Sequence, residues 1–226
     1  VDNNTISNNN GSGILNNSSD VNFSNCEISN NSSWAATLDN VSVLDYPGNS
    51  GNGNGYDAFS LTGTVSQDVT ISSTQSGFPF VINGLLTVND AVSLTFPAGE
   101  IIKLNSGNIK VNGSLYCMGT ESEPITFTSF KDDSVGGDLN NDQTQSTPAP
   151  GNWRTLTVNG TSNNDGIAII DHTVFRYGGA NYSGESSMVY FTQCDQGEIK
   201  NSTIEFSSQN GMRFYLGSDI VVDNNT

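Results

Sequence analysis

Between Gly63 and Phe127 the sequence repeats every 23 residues, and no other feature narrows the possible folds so far. Written in lines of that length, Val65, Val88 and Val111 share one column, and Val69, Val92 and Leu115 the next. Ile71, Leu94 and Cys117 follow, then Phe78, Ile101 and Pro124, then Val81, Leu104 and Phe127. The turns recur as well: VND at 88–90 returns as VNG at 111–113, and LTVND at 86–90 as LTVNG at 156–160. Within a line, apolar residues alternate with Thr, Ser or Lys, the two-residue period of a strand. Short Gly, Asn and Asp breaks supply the positive φ that tight turns require.

A unit this short, holding two or three strands, cannot bury its own apolar face. It must stack on a copy of itself, which makes a solenoid. Strands that recur in the same direction through a crossover wind right-handed in nearly all cases. The period therefore predicts an all-β chain, a right-handed parallel β-helix of about 20–30 residues per rung, in one domain over 1–226. Val88, Leu94, Leu104, Val111 and Phe127 are expected inside. Hydrophobic residues are 34% of the chain, but their concentration in columns argues for order.

A looser repeat frames the middle. NNTI at 3–6, NCEI at 25–28 and NSTI at 201–204 place an Asn three positions before an Ile, with DHTV at 171–174 as a variant. These Asn residues read as turn residues whose amides bond to a neighbouring turn. The pattern resembles the pectate-lyase-like repeats of right-handed parallel β-helix surface and secreted proteins of bacteria and archaea. That resemblance implies a fold and an extracellular or cell-surface setting, and no particular activity. The pentapeptide VDNNT stands at 1–5 and again at 222–226, in phase with its flanking rungs. Neither copy reads as a cap, so the chain is expected to be one period of a tandem array, or to stack head to tail on copies of itself.

Seven basic residues against 23 acidic ones give a net charge of −16, which repels nucleic acid and anionic membranes and attracts cations. No apolar run is long enough for membrane insertion as a helix, and Val1 opens directly into polar repeat sequence, as in a mature or excised segment. Cys26, Cys117 and Cys194 have no metal-binding spacing, and their odd number leaves at least one thiol unpaired. Asn-x-Ser/Thr triplets at Asn22, Asn112, Asn159 and Asn201 are what an Asn- and Ser-rich composition produces by chance.

Three stretches lack apolar periodicity and read as excursions: 45–58, 131–152 and 178–187. The second holds DDSVGGDLNND, with Asp132, Asp133, Asp138, Asn140 and Asp142. Oxygen-bearing residues at alternate positions suit Ca²⁺, with Asp138, Asn140 and Asp142 as ligands and Asp132 or Asp133 completing the shell. Gln143 stands where a calcium loop of the EF-hand type has Gly, and Ala149 where it has Glu, so a solvated acidic loop is the competing reading.

A uronate lyase or epimerase, the enzymatic alternative on this scaffold, needs a base and a cationic subsite. The basic residues are Lys103, Lys110, Lys131, Arg154, Arg176, Lys200 and Arg213. His172 lies in one rung with Arg176, Tyr177 and Tyr182, but strand parity groups it with Val174 on the interior side. A Thr ladder for ice binding is broken where Thr64 and Thr87 meet Lys110, and where Thr70 and Ser93 meet Tyr116. Carbohydrate contact through Trp34, Tyr46, Tyr56 and Tyr182 is the remaining binding alternative. The sequence thus points to a non-catalytic structural and interaction module.

Overall fold

A computed structural model describes residues 1–40, 46–160, 166–181, 184, 186–194 and 196–226. The protein is all-β, 47% strand and 2% helix. Every strand pairing among the described residues is parallel. The one helical turn among the described residues, Ser73–Ser76, is capped by Ser72 and closed by Gly77.

The strands lie in three rows. The first runs through Phe80–Val88, Asn108–Val111, Leu156–Asn159, Ser187–Thr192 and Asn210–Tyr215. The second is a six-stranded sheet through Val69–Thr70, Ser93–Pro97, Ser114–Met118, Ile167–Asp171, Gln196–Lys200 and Ile220–Asp223. The third starts again from Phe80–Val88 and continues through Ile101–Leu104, Ile125–Ser129, Thr173–Arg176 and Thr203–Glu205. Phe80–Val88 and Tyr56–Val65 are long enough to turn a corner, so the first and third rows merge into a 12-stranded, nearly closed sheet.

Partners follow the period read from the sequence. Asn108 faces Leu85, 23 residues away, and Thr5 faces Glu27, 22 away. Beyond the 131–152 excursion the spacing grows to 47, as between Val111 and Val158. Inward side chains stack in columns: Leu86, Ile109, Leu156 and Val189; Val88, Val111, Val158 and Phe191; Phe80, Ile102, Phe127 and Phe175. The ring of Phe127 lies parallel to that of Phe175 at 4.9 Å and edge-on to Phe96 at 5.0 Å. Val88, Leu94, Leu104, Val111 and Phe127 are all fully buried, as the period predicts.

Several column assignments shift. Val65, Val88 and Val111 align as expected, but Val69 faces Leu94, and Leu94 faces Leu115. The turn at 89–92 is two residues longer than that at 112–113, and a two-residue slip keeps every side chain on its own face. The same slip makes the outward column Thr70, Thr95 and Tyr116. In the third row Phe127 faces Ile102 and Leu104 faces Ser129, while Val81 turns outward.

The stretch read as a 45–58 excursion is, from Tyr46 onward, an ordinary corner of the coil (Asp45 lies outside the described residues). Ser50 bridges to Glu27, and Tyr46 is buried against Phe23, their rings 4.2 Å apart. Gly51, at φ 144°, lies so close to the Ile28 carbonyl that a Cβ would collide with it. A row of amides fastens this corner. Asn9 Nδ2 donates to Asn31 Oδ1, Asn31 Nδ2 to Asn54 Oδ1, and Asn54 Nδ2 to the Asp57 carboxylate, each at 2.8 Å. Asn31 and Asn54 are buried, so each amide meets in its neighbour the partner that water would otherwise supply. The Asn residues singled out from the sequence, Asn3, Asn25 and Asn201, do occupy left-handed turns, at φ 51–52°. No disulfide joins the three cysteines, which are fully buried, and burial pushes the Cys117 thiol pKa up.

Candidate functional sites

The 131–152 excursion leaves the coil after Ile125–Ser129 and folds over the outer face of the third row. Lys103 lies on that face, opposite Val81 and Thr128, where water would normally reach it. It is instead fully buried, and its ammonium donates to the Gly137 carbonyl. Desolvation lowers its pKa, opposed by the carboxylates of Asp133, Asp132 and Asp138. Trp34, Tyr56, Ala58, Val81, Phe130 and Leu139 form a small second core beside it.

Asp132 anchors the loop. Its carboxylate accepts from Arg176 Nη2 at 2.6 Å, Thr128 Oγ1 at 2.5 Å and Ser134 Oγ at 2.6 Å, and its side chain is 1% exposed. Burial opposes its ionisation, yet the bonds from Ser134 and Thr128 and the Arg176 charge outweigh that and hold its pKa below the ordinary range. Asp132 is therefore spent on Arg176. The residues that converge are Asp133, Asp138 and Asp142, with carboxylate oxygens within 4.8 Å of one another. Asp138 accepts the N–H groups of Asp142 at 3.2 Å and Gln143 at 2.7 Å. Asp142 is bonded by Ser146 and by Asn140 Nδ2, so Asn140 turns a donor toward the cluster rather than a ligand oxygen. Its pKa is lowered, first by the Ser146 hydroxyl. Asp133 shifts the other way, through desolvation and the nearby Asp138 charge, and its Oδ1 is buried without a hydrogen-bond partner. Sequence spacing thus found the loop and offered Asp132 or Asp133; it is Asp133 that joins Asp138 and Asp142, and the spacing gave Lys103 and Arg176 no part in the loop. The only signal for Lys103 was a lysine between Ile102 and Leu104, inside an apolar run.

The residues of the enzymatic alternative are engaged elsewhere. His172 is not interior. It sits in a left-handed turn at φ 43°, its Nδ1 2.7 Å from Asp171, while Thr173 and Phe175 point inward and Val174 outward. The turn resets the strand parity on which the interior placement rested. Arg176 holds Asp132, and Tyr177 stacks on Phe206 at 5.2 Å. The proposed carbohydrate aromatics are no exposed platform either: Tyr46 is buried, its pKa pushed up to about 12 chiefly by desolvation, and Trp34 and Tyr56 pack on Phe130. Tyr182 lies outside the described residues.

At the two outermost rungs apolar side chains turn to solvent: Val1, Leu15 and Val21 at one, Phe214, Tyr215, Leu216, Val221 and Val222 at the other. Ile204, Met212 and Ile220 continue the interior columns but are only partly buried. A cleft of about 400 Å³ opens among Ile204, Gly211, Met212, Val222 and 224–226. No family model, no curated protein and no solved structure matches this chain. No helix among the described residues is long and apolar enough to cross a membrane.

Proposed function

We propose that this chain is a non-catalytic structural and interaction module, a right-handed parallel β-helix of an extracellular or cell-surface protein, extended end to end by further copies of itself. The observation that carries the reading is the open continuation of the interior columns. Ile204, Met212 and Ile220 pack on the core from within, while Phe214, Val221 and Val222 beside them face solvent. A further rung, whether of the same chain continued or of another copy, would bury this surface and pair the strand edge. The two end faces differ, so the contact is heterologous and builds filaments rather than closed dimers. The charge of −16 opposes lateral clumping. Light scattering and electron microscopy across a concentration series test the reading: growing linear particles are expected, and a monomer at every concentration overturns it.

The loop supports a second, smaller role as a cation staple. Asp133 Oδ1 has no hydrogen-bond partner, and a carboxylate oxygen of Asp133 lies within 4.8 Å of ones from Asp138 and Asp142, an oxygen set that suits Ca²⁺. Lys103 already supplies positive charge there. Calcium should therefore raise the melting temperature modestly, and more in Lys103→Met than in the parent protein. Identical melting in calcium and in chelator for both proteins removes the role.

A further inference from the structure

We propose that the outer face of the first row is a docking site for an acidic peptide segment, held there as the molecule's own 131–152 excursion is held on the third row. The site is made of outward side chains rather than of a strand edge, and it does not depend on whether copies associate end to end.

The two rows carry similar outward columns. In the third row Val81, Lys103 and Thr128 stand in register, and Arg176 Nε reaches Thr128 Oγ1 from the following strand. In the first row the column is Thr87, Lys110, Thr157, Tyr190 and Arg213. Each sets a lysine beside a threonine on the neighbouring strand, with an arginine beyond. The third-row set has its acidic partner built in. Thr128 Oγ1 and Arg176 Nη2 both donate to the Asp132 carboxylate, and Lys103 donates to a main-chain carbonyl, that of Gly137. What satisfies such a column is therefore a peptide, which brings carboxylates and carbonyls together. In the first row the corresponding groups are left over. Lys110 has no carboxylate partner among the described residues, and Thr157, only 3% exposed, buries an Oγ1 that makes no hydrogen bond. The Arg213 guanidinium lies over the rings of Tyr190, at 4.9 Å, and Tyr215, at 5.2 Å, and its Nη1 donates to the Gly184 carbonyl. Those contacts fix the cation and leave the other N–H groups of its fork for an anion.

The distribution of charge points the same way. The chain has 23 acidic residues, yet the strands of this row, Phe80–Val88, Asn108–Val111, Leu156–Asn159, Ser187–Thr192 and Asn210–Tyr215, contain none. The second row, by contrast, carries Asp171, Glu198 and Asp223 in its strands. On a molecule of charge −16, cations on a face without carboxylates find their counter-charge in a partner. At physiological salt the Debye length is about 8 Å, so a ligand in contact feels these local cations more than the net charge. Lys110 and Arg213 are separated by the strands of Thr157 and Tyr190, which sets their Cα atoms about 14 Å apart. An extended peptide running across the strands spans that distance with carboxylates about four residues apart.

Fluorescence anisotropy tests the site at physiological salt, with a short labelled peptide of alternating Asp and Ser as the probe. Saturable binding is expected, weakened about fivefold by Lys110→Ala and about tenfold or more by Lys110→Glu. Lys131→Ala removes the same charge from an exposed position on the excursion and should leave the affinity within about twofold of the parent. No saturable binding, or equal weakening by Lys110→Ala and Lys131→Ala, overturns the proposal. Equal binding of an Asn-Ser peptide refutes carboxylate recognition. Binding of a uronic acid oligosaccharide in place of the peptide overturns the proposal in favour of a glycan site. Chemical-shift mapping on the unaltered protein gives a second reading free of any folding defect in the variants. The Asp-Ser peptide should move the signals of Thr157, Tyr190 and Arg213 and leave those of Ile169 and Glu198, in the second row, unchanged. Shifts confined to the second row or to the excursion refute the placement.

Discussion

The third row has two faces built from the same strands, and they are stabilised by different physics. Its inner face stacks Phe80, Ile102, Phe127 and Phe175, which need only shape and exclusion of water. Its outer face carries Val81, Lys103 and Thr128 in register, and would meet solvent as the outer faces of other rows do. The 131–152 excursion covers it and turns it into a second interior that contains charges. There Lys103 and Arg176 must be matched by Gly137, Asp132 and the neighbouring carboxylates, or their desolvation goes uncompensated. A stack of parallel strands can thus acquire a polar interior without altering its rows, by laying one loop across one of them.

Three substitutions test the contrast. Phe127→Ala should cost the most, about 3–5 kcal/mol, because it opens a void between Phe96 and Phe175 that rigid neighbours cannot fill. Urea denaturation measures it, and a loss below about 1 kcal/mol would mean the inner column is loosely packed. Asp132→Asn should cost about 3 kcal/mol by leaving Arg176 facing a neutral amide in a buried site. Because the folded state depresses the Asp132 pKa, this contribution is present above the ordinary value of 3.8 and disappears as the pH falls through the depressed one. The melting curves of variant and parent should therefore converge in acid. A constant difference at every pH would make Asp132 a packing residue, not a charge partner. Lys110→Ala, half-buried on the outer face of the first row with no charge partner to lose there, should lie within about 0.5 kcal/mol of the parent. A larger loss there would erase the distinction between covered and uncovered faces.

Much of this was readable from spacing, and the failures share a physical cause. The valine column at 65, 88 and 111 was legible because the intervening chain keeps its length. The next column slipped because one turn is longer, and length within a turn leaves no mark on the apolar pattern. His172 was misplaced because a residue at positive φ breaks strand parity, and nothing in HTV announces that conformation. The corner at 46–55 looked like a loose loop because Gly and Asn are loop residues by composition. Here the same residues let backbones touch and amides stack, which is order of another kind. In the acidic loop, spacing brought out the carboxylates but could not say which one meets Arg176, because that partner lies 44 residues away in sequence. The pairing is decided by the fold, which returns the chain to the same place in the very next rung, after the excursion.

The three buried cysteines, none in a disulfide, give the molecule a built-in gauge of where it opens. Cys26 lies in the second rung, Cys117 in the middle of the second row, and Cys194 in the turn between Ser187–Thr192 and Gln196–Lys200, each sealed from solvent. A thiol reagent can reach any of them only when the surrounding rung separates, so each labelling rate reports the opening free energy of its own stretch of coil. Mass spectrometry of the unaltered protein would read three such rates at once. Fraying from the outermost rungs would label Cys26 and Cys194 well before Cys117, whereas a single cooperative unit would label all three together. Joining copies end to end should slow the outer two and leave the central one unchanged.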